Sequence, residues 1–254
     1  MAKQRKYNRF NSISPASNFT ISTLLIIIAA LTVFPLLLVV SISLSPAESV
    51  TVNGYKLIPD AISFQAYSTL IKTGQQLLDS YIVTIFYTIT GTIMSLFVMS
   101  MFAFVLAQRN FKFRSIYTFI LFFTMLFSGG LVPSYIINVR YLHLKDTIWI
   151  FLLPTLVSAY NVIILRTFIQ TTIPDALFEA AKIDGASNLT IFFRIVLPLF
   201  KPGLATIGLF NVVTRWNDWF TGMLYIDNPK LIPLQTLLQR IMRNIQFIKD
   251  NSQL

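Results

Sequence analysis

The chain has 254 residues, 55% of them hydrophobic and only 12% charged, with a net charge of +10 and no cysteine. Soluble domains carry about 25% charged residues, so half that share, with a mean hydropathy of +0.67, excludes an ordinary soluble fold and points to a polytopic membrane protein. The absence of cysteine excludes disulfide frameworks, thiol catalysis and cysteine metal sites. The basic residues sit at the edges of apolar runs rather than on one soluble face, which argues against nucleic acid as a partner.

An N-terminal arm, residues 1–19, carries Lys3, Arg5, Lys6 and Arg9. The first uncharged run follows, with its apolar heart at residues 21–44. A span takes about 20 residues and a signal peptide's apolar region only about 7–15, so this run predicts an uncleaved first helix with a kink at Pro35. The second run lies between Asp79 and Arg109 and the third between Arg114 and Arg140. Within the third, Ser128-Gly129-Gly130 and Pro133 read as a close helix contact made by small residues, with a bend as the alternative. The fourth run, between Asp146 and Arg166, is near the minimum length for a span.

A polar stretch then separates two apolar ones. Thr171-Thr172-Ile173-Pro174-Asp175 reads as a helix start, with a threonine cap, Pro174 in the first turn, and Asp175 and Glu179 at the positive end of the dipole. Gly185 is placed to end that helix in a left-handed conformation. Ser187 or Asn188 can cap a second helix that runs through Phe192, Phe193 and Ile195 until Pro198 stops or bends it. The expected product is a helical hairpin, residues 174–198, lying on the membrane face. Ala180 and Ala181 leave one side thin enough for a partner surface, and Glu179 and Asp184 offer charge to a partner's Arg or Lys. A solvated connector in which Glu179 only caps a helix accounts for the same residues.

The fifth run, near residues 202–226, contains Arg215 and Asp218. Three residues apart on a helix, their side chains can meet. Charges within a membrane are costly and face a cavity or a partner. Thr214, Arg215, Trp216, Asn217, Asp218 and Trp219 thus form either a polar lining for a hydroxyl-rich solute or a structural ion pair with interfacial tryptophans. The last segment, residues 227–254, repeats Leu234, Leu237, Leu238, Ile241, Ile245 and Ile248 at near-helical spacing among basic residues, the pattern of an amphipathic interfacial helix.

If the five runs alternate, the arm, the 107–114 loop and the 166–201 loop share one side and hold 11 of the 20 Lys and Arg residues. The positive-inside rule places that side, with the N-terminus and the hairpin, in the cytoplasm of a multi-pass membrane protein. The last segment then lies outside.

Glu179-Ala180-Ala181, Gly185, Ile195, Leu197 and Pro198 stand in one gapless register, with Asp184 and Ala186 beside the glycine. This resembles the EAA loop of ABC importer permeases, in the sugar or maltose-permease-type branch. Trp216-Asn217-Asp218-Trp219-Phe220 is similar to that branch's Trp-Asn-acidic pattern. The resemblance covers most of the chain and implies an all-α polytopic transmembrane bundle of the type I importer permease kind, with residues 20–226 as the permease domain. Five spans are visible; the family leads one to expect a sixth, and no further apolar run precedes Leu254. It implies import of a sugar or oligosaccharide across the bacterial cytoplasmic membrane, with Glu179, Ala180, Ala181, Asp184 and Gly185 docking on a separate ATPase. The implied partners are a second, homologous permease, two ATP-binding subunits that hold ATP and Mg, and an extracytoplasmic solute-binding protein.

Other classes fit less well. No Gly-x-x-x-x-Gly-Lys-Ser/Thr, His-Glu-x-x-His or Gly-x-Ser-x-Gly occurs, and the single histidine is His143, so no catalytic, cofactor or metal site is expected. An ATP-independent carrier or channel would place ionisable groups in several spans, whereas here both lie in one. A permease for peptide or polyamine import remains the alternative, because the hairpin is shared more widely than solute choice.

Overall fold

The computed structural model describes residues 14–68 and 74–251. Of the expected basic arm, Lys3, Arg5, Lys6 and Arg9 lie outside the described residues. Among the described residues there are helices and turns and no strand. The chain divides into two compact units, Met1–Gly74 and Gln75–Leu254.

The first unit is dominated by α1 (Pro15–Ser43), 29 residues long. Ser14 accepts a hydrogen bond from the Ser17 N–H at 3.2 Å and caps it, and Pro15 occupies the first turn, where a missing N–H costs nothing. At about 1.5 Å per residue the helix exceeds the roughly 30 Å of a bilayer's hydrocarbon. Its flanks are apolar all round: over its most apolar window only 6% of residues are buried within the chain, so that surface belongs to lipid or to partner helices. Pro35 lies inside the helix without ending it. A short helix, α2 (Ala47–Asn53), follows, and the loop beyond folds back where Ser41 Oγ donates to the Lys56 carbonyl at 2.7 Å.

The second unit is built on α3 (Gln75–Ala107). Its sequence is amphipathic in the membrane sense. Ser80, Thr84, Thr88, Gly91, Thr92, Ser95 and Ser100 recur on one stripe and are buried, while Ile82, Ile85, Phe86, Ile89 and Ile93 face outward. Small and hydroxyl side chains let neighbouring helices approach closely where lipid offers no hydrophobic drive for helices to associate. Two later helices, Ala159–Thr172 and Lys201–Trp216, pack on this one.

The remaining apolar runs are broken. The third gives α4 (Arg114–Leu126) and α5 (Leu131–Ile136), the latter continuing as a π turn through Tyr141, with a bend of 112° between the two halves. The bend falls at Ser128–Gly130, where Gly130 has φ +86°. A Cβ placed on Gly129 or Gly130 would meet nothing within 4 Å. The glycines therefore serve the bend, and the expected helix contact is not made among the described residues. The fourth run is likewise no single helix. It forms α6 (Trp149–Leu152), an unwound stretch at 153–158 that contains Pro154, and α7 (Ala159–Thr172), which Ser158 caps. The fifth forms α10 (Lys201–Trp216) and α11 (Phe220–Tyr225). Among the described residues two helices, Ser17–Ser43 and Gln75–Ala107, are by themselves long and apolar enough to cross a membrane.

Two apolar cores hold the second unit. One joins α3, α7, α10 and the hairpin through Met99, Phe104, Leu165, Ile169, Phe192, Val196 and Phe200. The other gathers Tyr87, Ile150, Phe151, Leu152, Tyr225, Ile226 and Ile232. The last helix, α12 (Leu234–Asp250), is the expected amphipathic one. Leu234 and Thr236 anchor its start, Thr236 donating to the Trp219 carbonyl at 2.9 Å, and residues 241–250 are exposed.

Candidate functional site

The hairpin forms as its residues dictate, with two differences. Its first helix is α8 (Asp175–Ile183), and Pro174 is the cap residue rather than a first-turn residue. Thr171 and Thr172 belong to the end of α7; Thr171 Oγ1 donates back to the Thr167 carbonyl at 3.0 Å, so neither threonine caps α8. α7 takes in the two threonines expected to cap the hairpin, and Ile169 within it and Ile173 at its C-cap are both buried. Gly185 has φ +77° and ends α8, with the Ala186 N–H donating to the Ala181 carbonyl at 2.9 Å. Of the two candidate caps for the second helix it is Ser187 that serves, accepting from the Thr190 N–H at 3.2 Å. That helix, α9 (Asn188–Ile191), passes through a π turn, Phe192–Val196, and a last turn, Leu197–Leu199, that contains Pro198. The chain then bends by 78° into α10.

The hairpin has a sealed inner face and an open outer one. Ala181, Ile191, Phe192 and Val196 lie in the core. Ala181 was expected on the face offered to a partner; it is 8% exposed and instead lets α8 sit tightly on its own bundle. Glu179, Ala180, Asp184 and Gly185 are exposed. So are Leu177, Ile183 and Leu189, Ile183 by 86%. These three apolar residues were not singled out from sequence, although Leu177 and Ile183 flank the Glu-Ala-Ala run. Arg109 forms an ion pair with Asp175 at 2.6 Å that ties the 107–114 turn to the hairpin. Between them lies a cleft of about 130 Å³ lined by Arg109, Asp175, Glu179 and Lys182 among others.

A second polar site surrounds Arg215, which is 5% exposed. The expected meeting of Arg215 with Asp218 does not occur. α10 ends at Trp216, between the two, and among the described residues no ion pair joins them. Asp218 accepts from the Thr221 N–H at 3.0 Å at the start of α11. Arg215 Nη1 donates to the Phe151 carbonyl at 2.7 Å and to Thr155 Oγ1 at 2.9 Å. Nη2 donates to Ser95 Oγ at 2.7 Å and to the Thr155 carbonyl at 3.0 Å. Tyr87 donates its phenol to the Arg215 carbonyl at 2.6 Å. The guanidinium thus satisfies carbonyls that the break after α6 leaves without helical donors. Gly91 makes room for it: a Cβ there would sit 2.7 Å from Nη1.

Beside this cluster is an open cavity of about 720 Å³. Thr214, Arg215 and Asp218 line it together with Tyr87, Phe151, Thr155, Val157, Ser158, Tyr160, Asn161, Phe210 and Asn211. Trp216, Asn217 and Trp219 are not among the lining residues; Asn217 Nδ2 donates to the Val213 carbonyl, and Trp219 packs edge-on against Phe220. Asn161 and Asn211 escaped the sequence reading, yet Asn211 stands one helical turn before Arg215 and Asn161 one turn after the α7 cap. Among the described residues no group of three His, Cys, Asp or Glu could hold a metal ion.

Residues 85–252 match the family described as binding-protein-dependent transport system inner membrane component. The polygalacturonan/rhamnogalacturonan transport system permease protein YtcP of Bacillus subtilis is 41% identical over 218 residues, which is 86% of this chain and 75% of that protein. Protein LplC of the same organism is 37% identical, over 84% of this chain and 72% of its own length. A crystal structure of a bacterial ABC transporter involved in the import of the acidic polysaccharide alginate contains a chain that matches with a TM-score of 0.82 and 33% identity, covering 88% of this chain and 79% of that one. The helical bundle is therefore that of an ABC importer permease, and this chain belongs to the family of membrane-embedded permease components of binding-protein-dependent transport systems.

Proposed function

We propose that this chain forms half of the translocation path of an ATP-driven importer for a sugar or oligosaccharide, and that the 174–198 hairpin is where a separate ATPase acts on it. A second, homologous permease completes the path. Two ATP-binding subunits hold ATP and Mg, so this chain turns over no nucleotide alone, and an extracytoplasmic solute-binding protein delivers the solute. The N-terminus and the hairpin face the cytoplasm.

The observation that carries this reading is the two-faced hairpin. Its inner side is locked into the core through Ala181, Ile191 and Phe192, and its outer side presents Leu177, Glu179, Ala180, Ile183 and Asp184. A solvated connector has no need to expose Ile183 by 86%. A rigidly seated element with an apolar tip and acidic flanks can pass a push from a partner into α7 and α10. The cavity beside Arg215 is the proposed solute path, its hydroxyl and amide groups suited to a polyol. YtcP is named for polygalacturonan and rhamnogalacturonan transport and the matching crystal structure is of an importer of the acidic polysaccharide alginate, and we extend a solute of that polysaccharide class to this chain.

The test is paired. Glu179→Lys and Ile183→Asp should abolish ATPase co-purification and uptake at unchanged membrane abundance. Asn211→Ala should lower uptake while co-purification persists. Normal uptake by both hairpin variants would remove the coupling role.

A further inference from the structure

A third cavity, about 530 Å³, lies at the hairpin end of the second unit, between the start of α4 and α7. It is lined by Lys112, Arg114, Arg166, Ser115, Thr118, Phe119 and Phe122. Three cations and no acid converge on one opening. Among the described residues none of the three forms an ion pair. Arg166 donates Nη1 to Thr118 Oγ1 at 3.2 Å, while its Nε is fully enclosed and has no hydrogen-bond partner. Arg114 stands at the first position of α4, whose N-terminus has no side-chain cap and no acid in its first turn. Each of these features is unfavourable in an empty pocket. Like charges repel, an enclosed N–H lacks an acceptor, and a cation sits at the positive end of a helix. One anion placed between them offsets the like-charge repulsion and the cation at the helix start, and supplies a counter-charge to the Arg166 guanidinium, whose Nε itself stays enclosed.

We propose that this cavity binds the phosphate of an anionic membrane lipid, with Lys112, Arg114 and Arg166 on the phosphoryl oxygens and Phe119 and Phe122 along the acyl chain. The order of residues on α4 favours a lipid over a free anion. Arg114, Ser115, Thr118, Phe119 and Phe122 recur three and four residues apart, so they share one face. That face is basic in its first turn and aromatic one to two turns deeper, the gradient that a headgroup and its chain present. Phe119 is 68% exposed and Phe122 45%, leaving them open to a chain. Basic pockets between membrane helices are the common form of site for such headgroups. Lys112 belongs to the same 107–114 turn as Arg109, which the ion pair with Asp175 ties to the hairpin, so an occupant would stiffen that turn.

The experiment uses the full chain within its assembled importer, purified in mild detergent, and native mass spectrometry of retained lipid. Palmitoyl-oleoyl phosphatidylglycerol should be retained in clear preference to the phosphatidylcholine of the same chains. Each lost cation should weaken retention about fivefold, as expected for a basic residue near an anionic lipid. Arg114→Gln with Arg166→Gln combines two such steps, and Lys112→Gln, in the exposed turn, tests the site without touching the fold. Phe119→Ser should narrow the gap between long-chain and dioctanoyl phosphatidylglycerol. Lys230→Gln, outside the cavity, should change nothing. Equal retention of both headgroups, or retention unmoved by Lys112→Gln and the double variant, overturns the proposal. Displacement of the lipid by equimolar inorganic phosphate would instead assign the site to a free anion. Loss of a protein subunit rather than of lipid from the double variant would assign it to an acidic partner segment.

Discussion

Around Phe192 the central helix α3 meets its neighbours through apolar side chains, with Phe104, Leu165, Ile169 and Val196 all nearly inaccessible. Around Arg215 the same helix meets its neighbours through a guanidinium that feeds two carbonyls and two hydroxyls. The difference follows from the state of the chain. Near Phe192 the helices satisfy their own backbones, so packing alone joins them. Near Arg215 the fourth run unwinds, and the freed carbonyls need donors that the helix no longer supplies. A buried arginine is costly in an apolar setting, yet here its four donor contacts replace missing helical ones. The bundle therefore has one joint that depends on shape and another that depends on hydrogen-bond geometry.

That contrast can be broken by conservative replacement. Phe192→Ala should lose about 3–5 kcal/mol, the usual cost of emptying an aromatic site, whereas Phe192→Leu should retain most of the stability. Arg215→Met should lose on the order of 3 kcal/mol because the Phe151 and Thr155 carbonyls lose their charged donor and keep only the hydroxyls of Thr155 and Ser95. Arg215→Lys should recover little of it, since an ammonium cannot reproduce the planar fork. Thermal unfolding in one detergent, monitored by intrinsic fluorescence, ranks all four. If Arg215→Lys melts with the wild type, the second joint does not depend on geometry. A milder probe of the same joint is Gly91→Ala. Its Cβ would lie 2.7 Å from Nη1 and 2.8 Å from Cζ of a side chain already held by four bonds. Overpacking of that kind costs about 1–3 kcal/mol, and in Arg215→Met the penalty should shrink, which a double-mutant cycle reads directly.

The sequence made the apolar joint more legible than the polar one. Phe192, Ile195 and the glycine break announced the hairpin because caps and turns are local signals: Gly185 and Ser187 act on groups within three residues of themselves. The amphipathic repeat of α12 was legible for the same reason. Arg215 was visible as a charge in an apolar run, but its partners lie 64, 60 and 120 residues away, and the nearby Asp218 was the natural but incorrect candidate. Hydropathy also counts composition without regard to backbone shape, so the break at Pro154 was hidden inside a run of adequate length, and the bend at Gly130 was weighed only as the alternative to a helix contact. The stripe of Ser80, Thr84, Thr88, Gly91, Thr92 and Ser95 was present at helical spacing and passed unread because polar periodicity is sought on outer faces.

Gly185→Ala separates the two joints in another way. Nothing lies within 4 Å of a Cβ there, so only the left-handed backbone is penalised, by about 1 kcal/mol. The apolar core should hold while the 184–187 turn frays. Hydrogen exchange of the Ala186 amide should speed up several-fold with little change in melting temperature.

The smallest effect is expected at the far end, in the loop before α6. Asp146 takes a left-handed backbone, φ +55°, and its Oδ1 accepts from the Asn228 and Asp227 N–H groups at 2.8 and 2.6 Å. Those two bonds, the Asn228 one foremost, hold its carboxyl below the ordinary carboxylate value. The carboxylate form is thus the one the fold prefers. Its contribution is full above the unfolded value, near pH 4, and fades as pH falls through the lower folded value. The link between the 142–148 loop and the segment leading into α12 should accordingly be indifferent to pH from neutrality to about pH 4 and loosen below it. Asp146→Asn keeps an acceptor oxygen but removes the proton equilibrium. At each pH, amide exchange at Asp227 and Asn228 compared between wild type and Asp146→Asn should differ by a constant ratio down to about pH 4, with the two converging below it as the wild-type latch is lost. A ratio that stays constant to lower pH would mean that Lys145, paired with Asp227 at 2.8 Å, holds the loop without Asp146.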